Sequence, residues 1–345
     1  MRTITRKFAT AAAGVLATAA LALSGCSAPS SPEPEAAPAE EVAEAITSLK
    51  IGVIYLDNNS GFYAGVKKGV DALAAEAGIE IEIIEGNSLQ DAVKEAAFIE
   101  SMIADQVDAI LISTASGDSS IPAVKAAHEA GIPVVCYNTC IQEPEMSQYV
   151  SAYAVGNQTE FGYSAGVALA DALIAKGVTN PSIGVVNCEF VEVCIDRKNG
   201  FEQALGEKLE GFTIADSQRG GDASASLTAA QNILTANPGI HAFFGQYGDA
   251  TMGALKAVEN AGLIGEIVVV GGDMSIPLGE AMIAGSVAAM VDISGSLSGR
   301  TGLQTVLDIL AGNPPAEIMV NVPVTSFVTV ESAEKWIAAN PDGIG

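Results

Sequence analysis

Residues 49–63, LKIGVIYLDNNSGFY, hold an apolar run that ends abruptly in a polar tetrad and a glycine, followed by two adjacent aromatics. The run has the length and β-branched content of a buried strand. Residues 62–77 have the spacing of a helix, with Phe62, Val66, Val70 and Leu73 on one face and Gly78 as the stop. A strand, a polar turn and a helix in immediate succession are the opening of an α/β unit.

The same alternation extends outward. IEIEII (79–84) has the period of two of an edge strand, a helix is predicted over 89–105, and VDAILIS (107–113) reads as a buried strand. A helix over 120–130 ends at Gly131 and leads into IPVVCYN (132–138). After YVSAYAV (149–155) the pattern restarts: helix 160–176, strand SIGVVN (182–187), helix 195–209, strand FTIADS (212–217) and helix 223–236. HAFFGQ (241–246), helix 249–261, EIVVVGG (266–272), helix 276–284 and SVAAMVDI (286–293) follow. Helix 298–311 and the strand-like MVNVPVTSFVTV (319–330) close the chain. The fold class is therefore α/β, with two Rossmann-like, doubly wound parallel-sheet lobes in tandem.

In open α/β sheets ligands bind beyond the carboxyl ends of the strands. Those ends carry Asp57–Tyr63, Ser113–Asp118, Asn138 and Thr139, Asn187–Arg197, Gln246–Asp249, Asp273 and Asp292, while strand interiors are Val and Ile. Polar groups and aromatics gathered at one end make a cleft suited to a polar small molecule.

The first 48 residues are of another kind. Arg2, Arg6 and Lys7 precede an apolar stretch, Phe8–Leu23, that is too short to span a bilayer, which marks 1–25 as a signal peptide. It closes on Leu23-Ser24-Gly25-Cys26, which resembles the bacterial lipobox and so implies a lipidated Cys26. Residues 26–48, rich in Pro, Ala and Glu, have the composition of a disordered tether. The expected location is the extracytoplasmic face of the cell membrane, held there by the lipid alone.

Removing 1–25 takes three basic and no acidic residues, so the formal charge moves from −25 to −28. Such a charge disfavours nucleic acid and anionic lipid as partners. Cys136, Cys140, Cys188 and Cys194 remain after Cys26. An even count in an exported chain points to disulfides, and of the three connectivities the close pairs are the economical ones. With no CxxC and only two His, zinc is disfavoured, and neither metal nor cofactor is expected.

Four segments in order carry a family resemblance: NNSGFY (58–63), DRKNGF (196–201), GQYGDATMGALKA (245–257) and VVVGGD (268–273). Over about 50–330 the chain resembles the periplasmic sugar-binding proteins of ABC importers, the ribose-binding type, with a type I periplasmic binding protein fold. The resemblance implies a hinge of three crossings near 155, 293 and 322. It puts 49–155 plus about 294–321 in an N-terminal lobe, and 156–293 plus about 322–340 in a C-terminal lobe. It also implies a monomer that closes over one small solute and delivers it to a membrane permease with separate ATPase subunits.

By the same resemblance Phe62 and Tyr63 form a wall that stacks on a sugar-like ring, Arg197 reaches ring or hydroxyl oxygens, and Asp273 accepts from adjacent hydroxyls. Other positions depart from the ribose pattern. Asn138 and Thr139 stand where an Asp-Arg pair is usual, Ser60 and Ser113 replace Asn, and Tyr247 replaces Asn. Ile293, beside Asp292, replaces Gln. The ligand-binding set is thus Ser60, Phe62, Tyr63, Ser113, Asn138, Thr139, Arg197, Tyr247, Asp273 and Asp292. The changes point to a monosaccharide or polyol other than ribose; the alternative is a nucleoside or furanone-like signal feeding transport or chemosensing. Cys188 and Cys194 bracket a loop with Phe190 at the lip of the cleft, and a disulfide there would pre-order it.

Catalysis finds no support: there is no GxSxG, no paired His, and neither His128 nor His241 lies at a strand's carboxyl end. No GxxxxGK[ST] is present, and a repressor of related fold would need a DNA-binding headpiece.

Overall fold

The computed structural model describes residues 47–58 and 60–345. The expected signal peptide, Cys26 and the tether as far as residue 46 lie outside the described residues.

The first sheet begins with β1 (Ser48–Tyr55), which runs through α1 (Gly61–Glu76) to β2 (Glu80–Asn87). Next come α2 (Ala92–Ala104), β3 (Ala109–Ile112), α3 (Ile121–Glu129), β4 (Val134–Tyr137), the short α4 (Glu145–Tyr149) and β5 (Ala152–Val155). β1 pairs in parallel with β2 on one side and β3 on the other, and its residues from Ile51 onward are buried on both faces, which needs a continuous apolar run. β2 lies at the sheet edge and alternates in exposure, as its IEIEII pattern predicts.

The second sheet is built from α5 (Gln158–Ala175), β6 (Ser182–Asn187), α6 (Glu192–Lys208), β7 (Thr213–Arg219), α7 (Ala223–Ala236) and β8 (Ala242–Gly245). It continues through α8 (Gly248–Asn260), β9 (Val268–Gly272), α9 (Ile276–Ile283) and β10 (Ala289–Asp292). The chain then returns to the first sheet through α10 (Gly295–Leu310) and β11 (Met319–Asn321), and ends on the second through β12 (Thr325–Phe327) and α11 (Val330–Ala339).

The strand orders are β11-β5-β4-β3-β1-β2 and β12-β10-β9-β8-β6-β7. All pairings are parallel except that of β10 with β12. In each sheet the order reverses beside the first strand, β1 against β3 and β6 against β8, which opens a crevice at the carboxyl ends. The three passages between sheets lie side by side. Val322 donates its N–H to the Val155 carbonyl at 3.1 Å, and a Cβ on Gly156 would press into Ile293 and the Val322 carbonyl.

Glycines allow very close helix pairs in both halves. A Cβ on Gly69 of α1 would collide with the Ser296 carbonyl of α10, and one on Gly162 of α5 with the Arg197 carbonyl of α6. The second contact sets the position of Arg197.

The segment 319–330, read from sequence as one strand, divides into β11, a crossing through buried Val322 and exposed Pro323, and β12. Pro323 cannot donate to a ladder, so the strand breaks there. α4 and α11 were not foreseen. α11 is closed by a capping box at Thr329 and Ser332 and buries Ala333 and Trp336. Both economical disulfides are present, Cys136–Cys140 and Cys188–Cys194, each with Cα atoms 5.5 Å apart.

Candidate ligand-binding cleft

On the first sheet's side the wall is set by the turn between β1 and α1. Ser60 is the extended N-cap residue and is half-buried. Phe62, one position into the helix, is also half-buried, and its ring meets that of Tyr63 edge to face at 5.1 Å. Tyr63 turns inward and is 6% exposed. Its hydroxyl is pushed up to about 12, first by burial, with Asp57 and Asp273 adding to the rise and bonds to Ser113 and Asn138 opposing it.

The bonds behind this wall have a definite direction. Thr139 gives its only hydroxyl proton to the Thr114 carbonyl at 2.9 Å, so Ser113 must donate to Thr139 across 2.7 Å. Tyr63 then donates to Ser113 at 3.0 Å and accepts from Asn138 Nδ2 at 2.8 Å. Ser113 and Thr139 are buried, and their hydroxyls serve this chain. Asn138 is half-buried and held in the left-handed region at φ 56°, where its carbonyl accepts from the Tyr153 hydroxyl at 2.6 Å. Asn tolerates that conformation better than most residues.

The opposite wall is organised around Arg197, 7% exposed, on α6. Nε donates to Gln158 Oε1 at 2.7 Å, one terminal nitrogen donates to the Gln246 carbonyl at 2.6 Å, and the guanidinium lies 4.0 Å over the Phe161 ring. The same terminal nitrogen is 3.9 Å from Asp273 Oδ1. Asp273 follows β9 with φ 59°, and its other oxygen accepts from the Gly248 N–H at 3.1 Å, at the start of α8. A carboxylate is favoured there by the unpaired amides of the helix. Ser275, not Asp273, caps α9.

Asp292, at the end of β10, is 7% exposed and accepts from Met274 N–H at 3.4 Å. Burial pushes it up to about 7, and the neighbouring Asp273 adds to the rise. Asp249 is also raised, by burial and then by Asp273, Asp222 and Asp57. Tyr247 precedes α8 as its N-cap residue, and its hydroxyl donates to the Gly221 carbonyl at 2.8 Å and contacts Ser226 at 3.2 Å.

The two walls face each other closely enough for their charges to interact. Asp273 raises the Tyr63 hydroxyl, and Asp57 raises Asp249. Tyr63 and Asp57 on the first wall thus lie within electrostatic reach of Asp273 and Asp249 on the second. Ser113 and Thr139 stand behind the first wall, and Tyr247 is anchored toward Gly221. The sequence reading missed Gln158 and Phe161, which hold Arg197 from the first turns of α5. A search of strand ends passes over them, although Gln158 directly follows the 155 crossing. Alongside these residues the space between the sheets widens into a groove of about 1120 Å³, whose lining includes Thr139 and Gln158. No group of three or more His, Cys, Asp or Glu among the described residues is placed to hold a metal ion.

Two doubly wound sheets, three crossings packed together and a polar cleft with an aromatic wall define a solute-binding protein of the hinged, two-lobed class. The chain belongs to the periplasmic binding protein family, whose domain model matches residues 51–314. It is 38% identical over 297 residues to the ABC transporter periplasmic-binding protein YphF of Escherichia coli K12, covering 86% of this chain and 90% of that one. To the ribose import binding protein RbsB of the same organism it is 27% identical over 293 residues, covering 84% and 93%. The crystal structure of an Agrobacterium vitis ABC transporter solute binding protein with bound D-fucose superposes with a TM-score of 0.72 at 26% identity, covering 84% and 99%. These relatives are solute-binding proteins, not enzymes, and the same holds for this chain.

Proposed function

We propose that this protein is the receptor of an ABC importer for a small polyhydroxylated solute, a monosaccharide or polyol. Ligand bridges the two walls and stabilises the closed arrangement of the lobes. What supports this reading is a half-buried aromatic, Phe62, beside Tyr63 after β1, together with Arg197 and Asp273 held 3.9 Å apart after the strands of the other sheet. A sugar ring has an apolar C–H face suited to Phe62 and a rim of hydroxyls suited to a carboxylate and a guanidinium. Relatives named for ribose, and a structural neighbour holding D-fucose, support the solute class. Ribose itself fits poorly, because Asn138-Thr139 and Tyr247 change the hydrogen-bonding groups, and unpaired buried groups are costly.

The same reading includes export, lipidation at Cys26 and delivery to a permease with separate ATPase subunits. It is supported by the Leu-Ser-Gly-Cys sequence at 23–26 and by the ABC-transporter relative. The lobes follow the sheets, 49–155 with about 294–321, and 156–293 with about 322–340, moving about the crossings at Gly156, Ile293 and Val322.

The test is thermal unfolding against pentoses, hexoses, polyols, nucleosides and amino acids. A ligand at a hundredfold excess over Kd should add about 2.7 kcal/mol of stability. A shift with a sugar or polyol supports the proposal. A shift with a nucleoside alone moves the ligand class, and a flat response to every compound contradicts it.

A further inference from the structure

The groove beside the cleft is larger than one sugar ring requires. Its volume of about 1120 Å³ exceeds the roughly 300–1,000 Å³ typical of sites for drug-sized ligands. Both disulfides brace its walls, one from each sheet. Cys188–Cys194 closes the loop carrying Phe190, and the Cys188 N–H donates to Gln246 Oε1 at 2.9 Å. Cys136–Cys140 closes the turn that leads to Gln142 and Glu143, and Gln142 N–H donates to the Gly117 carbonyl at 3.1 Å.

Phe190 is the informative residue. It lines the groove with 45% of its surface exposed, and the Arg219 guanidinium lies over its ring at 3.9 Å. A cation over one face fixes the ring's orientation, and a disulfide-closed loop fixes its position. An exposed aromatic platform held from two directions is a device for binding something flat and partly apolar. Charge narrows the choice: of the described residues lining the groove, five are Asp or Glu and one is Arg. A phosphorylated or carboxylated group would be repelled.

We infer that the cleft continues into a second subsite, with Phe190 as its platform, that takes a neutral second ring attached to the first. The ligand class deepens from monosaccharide to a two-ring glycoside that is not anionic. The inference rests on the sugar reading above, which supplies the first ring.

Calorimetric titration of the purified protein tests it, using galactose, glucose, xylose and arabinose beside melibiose, maltose, xylobiose and arabinobiose. The expected result is at least one disaccharide binding about tenfold or more tighter than its monosaccharide. Phe190→Ala should abolish that gain and Arg219→Ala should reduce it, while both keep the wild-type affinity for the monosaccharide, which also shows that they fold. Monosaccharide binding with no gain from any second ring overturns the subsite and leaves the sugar reading intact. So does a gain unaffected by Phe190→Ala. Failure of all eight sugars to bind overturns the subsite, and a flat unfolding response to the wider sugar and polyol panel besides overturns the sugar reading as well.

Discussion

Arg197 and Asp273 lie 3.9 Å apart without forming a closed ion pair, because each spends its best hydrogen bonds elsewhere. Arg197 holds Gln158 and the Gln246 carbonyl, and Asp273 holds the first amide of α8. The pair, in the proposed role of donor and acceptor for the ligand, is positioned by the framework and not by each other. Such positioning lowers what a ligand must spend in ordering the site.

Arg197→Ala should therefore destabilise the fold itself, by about 3 kcal/mol, since it leaves half-buried Asp273 and buried Asp292 without their cation. Arg197→Ala with Asp273→Ala should cost less than the sum of the single changes. Urea unfolding of the four proteins in that cycle measures the coupling.

The adjacent aromatics should separate in their effects. Phe62→Ala, at a half-buried position, is expected to lower ligand affinity about tenfold or more with a small change in stability. Tyr63→Phe removes the link between Asn138 and Ser113 and should cost about 1–2 kcal/mol in stability. Denaturant titration and calorimetry on both variants check the division.

Asp292 gives a pH dependence with a defined sign. Its folded-state value of about 7 lies above that of the unfolded chain, so the folded protein holds the proton more tightly. The stability it contributes is fully present below about pH 4 and is lost as the pH rises through about 7. Asp273 and Asp249 are displaced in the same direction. Unfolding midpoints from pH 5 to 8 should fall more steeply for wild type than for Asp292→Asn, and the variant should be the more stable at pH 8.

Gly162→Ala tests the close helix pair. The added methyl meets the Arg197 carbonyl, a backbone atom that cannot rotate away. The expected cost is about 3 kcal/mol or more, with loss of ligand binding because α6 carries Arg197. Ala at Gly206 of the same helix, where a Cβ meets nothing, should be neutral or slightly stabilising in the same unfolding assay.

Much of this was legible in the sequence for identifiable reasons. The fully buried β1, β3 and β4 show as uninterrupted apolar runs, and the edge strand β2 shows as strict alternation, so the sheets could be read directly. Strand ends gave Phe62, Arg197 and Asp273. What they could not give is the direction in which a side chain turns. Phe62 and Tyr63 look equivalent in a linear pattern, yet the helix phase buries Tyr63 and leaves Phe62 half-buried. Ser113 and Thr139 stand at strand ends as the pattern indicates, but that their hydroxyls bond each other across 26 residues of sequence does not show in it. Long-range bonds of that kind leave no local trace. α11 is short, and its strand-like prelude hides its start at Thr329.

The most direct measurement is a calorimetric titration of the best sugar or polyol from the unfolding panel into wild type, Phe62→Ala and Asp273→Asn. These variants change one residue on each wall. The account predicts saturable binding by wild type and a loss of about tenfold or more in each variant, because the ligand must touch both walls at once. Binding that both variants leave unchanged would place the ligand elsewhere and contradict the cleft as the site.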